Sequence, residues 1–403
     1  MQKINEHAFI AETYLNTLCQ MKPNRRTGSA GNRQATDFFA DTLLSFGYEI
    51  DAAPFDCLDY ASSGTQLTHA DQSFEVFVSP YSLSCDVVAE LVFVSTPQEL
   101  EKVDCKGKLL LLHGPITSEQ LMPKNFVFYN PDHHKKIIAL LESKNPAGII
   151  AATARQPELV GALYPFPLFL DGDFDIPSVY CKDTVGDMLA GLKGEAVHLR
   201  IDAQRIPASA NNVIARLNQK ADQKILITAH IDAYEDSPGA LDNAAGTVVL
   251  MLLAEMLSDY QGNMGVEIAA FNGEDHYSAG GEMDYLRRYG GKLSKISLVV
   301  NLDDLGYKEG KSAYSFYTCP QPLERKVDKV FQQFDGLIRG DPWFQGDHMI
   351  FVQKEIPSVA ITSEHMPELM RTVAHTSSDT PDKVDCHKLV EVAGALNALV
   401  RAW

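Results

Sequence analysis

The chain has 403 residues, 45% of them hydrophobic and 22% charged, an ordinary globular composition with length for two or three domains. Its 53 acidic and 35 basic residues give a formal net charge of −18. That excludes the basic surface needed for sequence-independent nucleic-acid binding or for docking on anionic membranes, so neither is expected as a partner.

The opening MQKINEHAFI has no apolar h-region. The longest apolar stretch, about Ala244 to Leu257, is shorter than the roughly 20 residues that a transmembrane helix needs. Seven scattered cysteines form no CxxC pair, which predicts free thiols in a reducing, cytoplasmic setting.

Taken in chain order, residues 5–48 look helical. Ala35, Phe38, Phe39, Leu43 and Leu44 recur at helical spacing from Gly31 to Phe46, and Gly47 ends that helix before a strand at Tyr48-Glu49-Ile50. Between about 60 and 205 the texture changes to short β-rich runs: Phe74–Val78, Asp86–Phe93, Lys108–His113, Gly148–Ala152, Ser178–Cys181 and Ala196–Ile201. Helices are expected at His134–Lys144 and Lys182–Leu192. The pattern predicts a β-rich α+β domain over 61–205, inserted between an N-terminal part (1–60) and a catalytic part (206–403) of one larger domain.

From 206 onward strands and helices alternate. The strands are Lys224–Ala229, Val266–Phe271, Ile296–Leu302 and Ser358–Thr362, with helices at Asp242–Ser258 and Ser278–Tyr289. This predicts an α/β fold, a mostly parallel mixed sheet flanked by helices. In such sheets ligands sit beyond the carboxyl ends of the strands. His230, Glu274, Asp275 and Asp303 all fall there.

Each of these residues has a plainer reading by itself. His230 suits a loop histidine, and Asp242 or Asn243 suits a helix N-cap. Glu274-Asp275 and Asp303-Asp304 suit turns, and His375 suits a surface loop. As a set they suit a hydrolytic metal site, because mixed His/Asp/Glu ligation without thiolates fits zinc. Charge counting agrees: Asp242, Asp275, Asp303 and one hydroxide balance two Zn²⁺ when both histidines are neutral. Glu274 is then a spare carboxylate beside a ligand, where a general base is expected, and Asp232 is placed to orient His230.

These motifs resemble the co-catalytic zinc aminopeptidases of peptidase clan MH. The matching strings are Ala229-His230-Ile231-Asp232, Gly239 to Gly246, Phe271-Asn272-Gly273-Glu274-Asp275, Val300-Asn301-Leu302-Asp303 and His375 to Thr380, with Gly346-Asp347-His348 and Arg26-Thr27-Gly28-Ser29 in support. The resemblance implies a zinc-peptidase fold and two zinc ions bridged by Asp242. His230 and Asp303 complete one position, Asp275 and His375 the other. Glu274 is the implied base, Asp232 supports His230, and the implied substrate is a peptide with a free N-terminus. The family commonly has Glu at the position of Asp275, which is shorter here by about 1.5 Å of reach. Asp304 adds an acid beside Asp303. The insert is similar to a protease-associated domain through Gly107 to Leu111, Asn145 to Ile150 and Ile176 to Val179. Three other activities stay open: a single-zinc glutaminyl cyclase, a carboxypeptidase of the same clan using bases such as Lys354 or Arg371, and a binding module without metals.

Overall fold

The computed structural model describes residues 2–128, 130–155 and 160–403. The chain divides into two compact units: Met1–Cys57 with Ser209–Trp403, and Leu58–Ala208.

The first unit is built on eight strands: β1 (Glu49–Asp51), β2 (Val213–Leu217), β3 (Lys224–His230), β4 (Gly265–Phe271), β5 (Ile296–Leu302), β6 (Ser312–Tyr317), β7 (Leu337–Arg339) and β8 (Ser358–Ser363). Their order across the sheet is β1-β2-β4-β3-β5-β8-β6-β7. The centre, β4-β3-β5-β8, is parallel, with Ile227 paired to Ile268 on one side and to Val300 on the other. The outer pairs β1-β2, β2-β4 and β6-β8 are antiparallel. Strands covered on both faces are mostly apolar, and β4 is buried from end to end, with its one acid, Glu267, paired to Arg216 and Lys224.

The helix Ala245–Met256 lies on this sheet, with all residues from Ala245 to Ala254 buried. It packs on β3 and against helices Gln2–Cys19 and Cys386–Arg401. A helix that is apolar on every side is stable only when covered on every side. The expected helix from Asp242 starts later than its sequence suggests. Asp242 and Asn243 have non-helical dihedrals inside a wider turn, Ala240–Ala244. At the N-terminal end, Ser29 caps the helix Ala30–Ser45 by accepting the Asn32 N–H.

The second unit holds a sheet in the order Gln72–Phe74, Pro54–His69, Ala196–Asn211, Cys85–Val94, Leu109–His113, Gly148–Thr153, Ser178–Lys182, Phe77–Val78. Alternate residues of its central strands enter two apolar clusters. Leu110, Leu112, Ile149 and Ala151 join one, and Leu109, Leu111, Ile150 and Ala152 join the other, as the two-residue period of a strand requires. The run expected at Phe74–Val78 is two short strands, and the run expected at Ala196–Ile201 continues to Asn211. Among the described residues no helix is long and apolar enough to cross a membrane, and no disulfide joins two cysteines.

Candidate metal centre

The carboxyl ends of β3, β4 and β5 each deliver a polar residue to one place. His230 is the last residue of β3 and is 1% exposed. The Asn272-Gly273-Glu274-Asp275 turn follows β4, and Asp303 follows β5. Asp242 comes from the turn before the helix Ala245–Met256, and His375 from the loop after helix Met366–Thr372.

The distances define two groups that share one carboxylate. His230 Nε2 lies 3.1 Å from Asp242 Oδ1 and 3.3 Å from Asp303 Oδ1. His375 Nε2 lies 3.2 Å from Asp242 Oδ2 and 3.5 Å from Asp275 Oδ1. The two oxygens of Asp242 thus face different histidines. Each trio of side chains has ligand atoms close enough to hold one cation. Donors on a tetrahedral zinc, each about 2.0–2.1 Å from the ion, are about 3.3–3.4 Å apart. The observed separations match that edge length, and the donors are all nitrogen and oxygen. The residues therefore fit zinc ions.

The local backbone explains why Asp242 is free to do this. Asn243, not Asp242, acts as the helix cap: its Oδ1 accepts the Gly246 N–H at 3.0 Å and its Nδ2 donates to the Leu302 carbonyl at 2.8 Å. Gly246 must be small there, since a Cβ would stand 2.3 Å from Asn243 Oδ1.

Asp232 holds the next turn. Its carboxylate accepts the Gly273 N–H at 2.8 Å, the Asp275 N–H at 3.2 Å and the Thr27 hydroxyl at 3.0 Å. It also lies 3.6 Å from His230 Nδ1. One acid therefore faces an imidazole and holds the backbone that carries Glu274 and Asp275. Asp275 is one methylene shorter than glutamate but still reaches His375. Glu274 lies with His230 and Asp275 in a further close group.

The electrostatics describe a site that calls for cations. Burial alone would lower the His230 imidazole, but Asp303, Asp232 and Asp242 outweigh it and hold it well above the usual value. Burial likewise opposes protonation of His375, yet Asp242 and Asp275 raise it to about 10. Burial raises Glu274 to about 7 despite the nearby His230, with Asp303 and Asp242 adding to the rise. Burial, then Asp242, push Asp275 well above its usual value. So many carboxyls crowded together, with protons retained on acids and imidazoles alike, mark a deficit of positive charge that divalent ions would fill.

Asp304 is buried but does not join the close groups, and its left-handed backbone (φ 53°) turns the chain away after Asp303. Sequence reasoning missed three contributors: Tyr234, whose ring stacks on His375 at 4.7 Å; Asp379, which accepts the Leu241 and Asp242 N–H groups; and Arg25, buried beneath the same loop. Tyr234 and Asp379 stand within or beside the strings that carry the ligands, which was the available signal. Another group of donors lies in the second unit: Glu119, His133 and His134. There His134 Nδ1 accepts the Met122 N–H at 3.1 Å, and His134 Nε2 lies 3.1 Å from a Glu119 carboxylate oxygen.

Residues 212–400, which include every candidate ligand, match the model of Peptidase family M28. Aminopeptidase YwaD of Bacillus subtilis (strain 168) is 28% identical over 252 residues, 59% of this chain and 54% of that protein. A glutaminyl-peptide cyclotransferase of Drosophila melanogaster is 24% identical over 217 residues, 43% of this chain and 60% of that protein. The chain thus spans 60% or less of the length of these curated relatives. The crystal structure of BSAP, a zinc aminopeptidase from Bacillus subtilis, shares the fold at a TM-score of 0.73 with 18% identity, covering 98% of this chain and 94% of that one.

Proposed function

We propose that the protein is a zinc-dependent aminopeptidase that removes N-terminal residues from peptides. The observation that carries this reading is Asp242 turned with one oxygen toward each of two histidines. His230, Asp242 and Asp303 would hold one zinc, and His375, Asp242 and Asp275 the other. Zinc bound there supplies an acidified water and a polarised substrate carbonyl. Glu274 takes the proton from the attacking water and returns it to the leaving amine.

The charged groups that dominate the field at Glu274, Asp275 and Asp303 are acids and histidines. Lys354 and Arg371, which a carboxypeptidase reading would recruit, are both exposed. The likeness to a cyclotransferase supports a second reading, in which an N-terminal glutamine is cyclised with loss of ammonia.

The test is a panel of substrates presented to zinc-loaded protein of measured metal content. Free-amine aminoacyl substrates should be cleaved and N-blocked ones spared. Equal cleavage of both refutes the aminopeptidase reading. A glutaminyl peptide that loses ammonia instead of its first residue establishes the cyclase.

A further inference from the structure

Arg25 is 2% exposed and has no carboxylate within ion-pair distance among the described residues. Its guanidinium is instead solvated by backbone carbonyls. Nε donates to Ile231 at 3.0 Å, Nη1 to Pro238 at 2.8 Å and to Leu18 at 3.1 Å, and Nη2 to Gly239 at 2.8 Å. Three of these four acceptors lie on the loop between His230 and Asp242. Removing a cation from water costs several kcal/mol, and unpaired burial is tolerated only where hydrogen bonds and a compensating field replace the water.

The same loop is held from its other side by a carboxyl group. Asp379 is fully buried. Its Oδ1 accepts the Leu241 N–H at 2.8 Å, its Oδ2 accepts the Asp242 N–H at 3.1 Å, and its carbonyl accepts the Ala240 N–H at 3.3 Å. Between the two side chains, the carbonyls of 238 and 239 accept from the guanidinium, the amides of 241 and 242 donate to the Asp379 carboxyl oxygens, and the amide of 240 donates to the Asp379 main-chain carbonyl. The peptide dipoles of the run are therefore fixed at both ends. Gly239 makes the packing possible. It has a left-handed φ of 60°, and a Cβ there would stand 2.5 Å from the Asp242 carbonyl oxygen and 2.8 Å from Arg25 Nη2.

We propose that Arg25 and Asp379 together are positioning residues for Asp242, fixing the backbone so that its two carboxylate oxygens address two separate cations. This rests on the reading of Asp242 as a shared ligand. The clamp explains why a cation and an acid, 354 positions apart in the chain, are both buried against the backbone of one short loop. Neither side chain needs to touch substrate or metal. Their effect is on the aim of a third residue, and an aim error of a fraction of an ångström is enough to weaken a two-metal site.

The test uses the full chain, stripped of metal and titrated with Co²⁺ while the visible absorption of the ion is followed, with Zn²⁺ affinity measured by competition. Arg25→Lys keeps the charge but loses the fork, and Asp379→Asn keeps the shape but replaces one acceptor with a donor. Each should weaken metal binding by about 10–100-fold, the range typical of groups that orient ligands, and should change the cobalt spectrum. Leu43→Ala, a cavity in the core of the same unit, is the control. It should lower the melting temperature while leaving affinity and spectrum unchanged. If Arg25→Lys does not fold, Asp379→Asn carries the same test alone. Wild-type affinity and spectrum in the folded variants overturn the proposal. A wild-type protein that binds neither Co²⁺ nor Zn²⁺ overturns the shared-ligand reading first, and the clamp with it.

Discussion

Replacing Glu274 with glutamine separates catalysis from stability in a way that follows from the site's own electrostatics. Burial raises this carboxyl from the ordinary glutamate value of 4.5 to about 7. In metal-free protein the folded state therefore keeps the proton more tightly than the unfolded chain does. That contribution to stability is complete below pH 4.5 and is lost as pH rises through 7. At 1.36 kcal/mol per pH unit the loss is at most about 3 kcal/mol, and the partial exposure of Glu274 reduces it toward about 2 kcal/mol. Glutamine does not titrate. The metal-free Glu274→Gln variant should match wild type near pH 4.5 and exceed its stability by about 2 kcal/mol at pH 8. The same change removes the proton acceptor, so the zinc-loaded variant should turn over about 10²–10⁴-fold more slowly while keeping its metal. Denaturant unfolding at several pH values reads the first effect, and steady-state kinetics with metal analysis reads the second. Near-normal turnover would remove Glu274 from the role of base. A variant no more stable than wild type at pH 8 would refute the burial argument.

Three further outcomes are expected. Asp232→Asn, which exchanges an acceptor of two backbone N–H groups for a side chain that is half donor, should weaken zinc binding about 10–100-fold, read by competition with a chromophoric chelator; unchanged affinity would leave Asp232 with no part in holding the turn of Glu274 and Asp275. Extraction of metal should abolish hydrolysis and lower the melting temperature most at high pH, where the buried acids Glu274 and Asp379, each raised to about 7 by burial first of all, are forced to ionise; zinc should restore both, and a melting temperature insensitive to zinc would contradict the two-cation site. Gly246→Ala places a Cβ 2.9 Å from the Leu302 carbonyl oxygen as well as against Asn243, so it should cost about 1–3 kcal/mol by overpacking, measured by denaturant unfolding.

The centre of the sheet was readable because its strands are covered on both faces. Such strands are mostly apolar, and Lys224–His230, Gly265–Phe271 and Ile296–Leu302 each show as a predominantly apolar run. The long strands Pro54–His69 and Ala196–Asn211 were hidden or truncated for the opposite reason. Much of each is exposed, and the stretch Ala61–Gly64 presents no apolar residue to a buried face. The ligands could be read because side chains that bind metal differ chemically from those that pack. Asp242 was also a plausible helix cap. Its neighbour Asn243 takes that task, and only three-dimensional structure decides between adjacent residues that both suit it. Arg25 and Asp379 were illegible as a pair because their partners are backbone carbonyls and amides, which every residue has and no side-chain pattern records.

The length of Asp275 bears on whether one ion or two would be held. From the sequence, the missing methylene argued for a weakened second position and kept a single-zinc reading open. The structure offsets that loss through the main chain. Asp232 accepts the Asp275 N–H directly, tying the turn after β4 to the segment that follows β3, and Asp275 Oδ1 lies 3.5 Å from His375 Nε2. Reach depends on the sum of backbone position and side-chain length, so a shorter acid on a closer backbone can serve the same point in space. Asp275 Oδ2 is also buried without a hydrogen-bond partner, an arrangement that is unfavourable for a carboxylate unless a cation is near. The second position is therefore built from residues that are costly to bury without an ion, which supports two cations over one. A Glu substitution at 275 supplies the decisive comparison: on this backbone the longer side chain should overshoot and weaken the second zinc, and a tighter second site in Asp275→Glu would show that the backbone had not compensated.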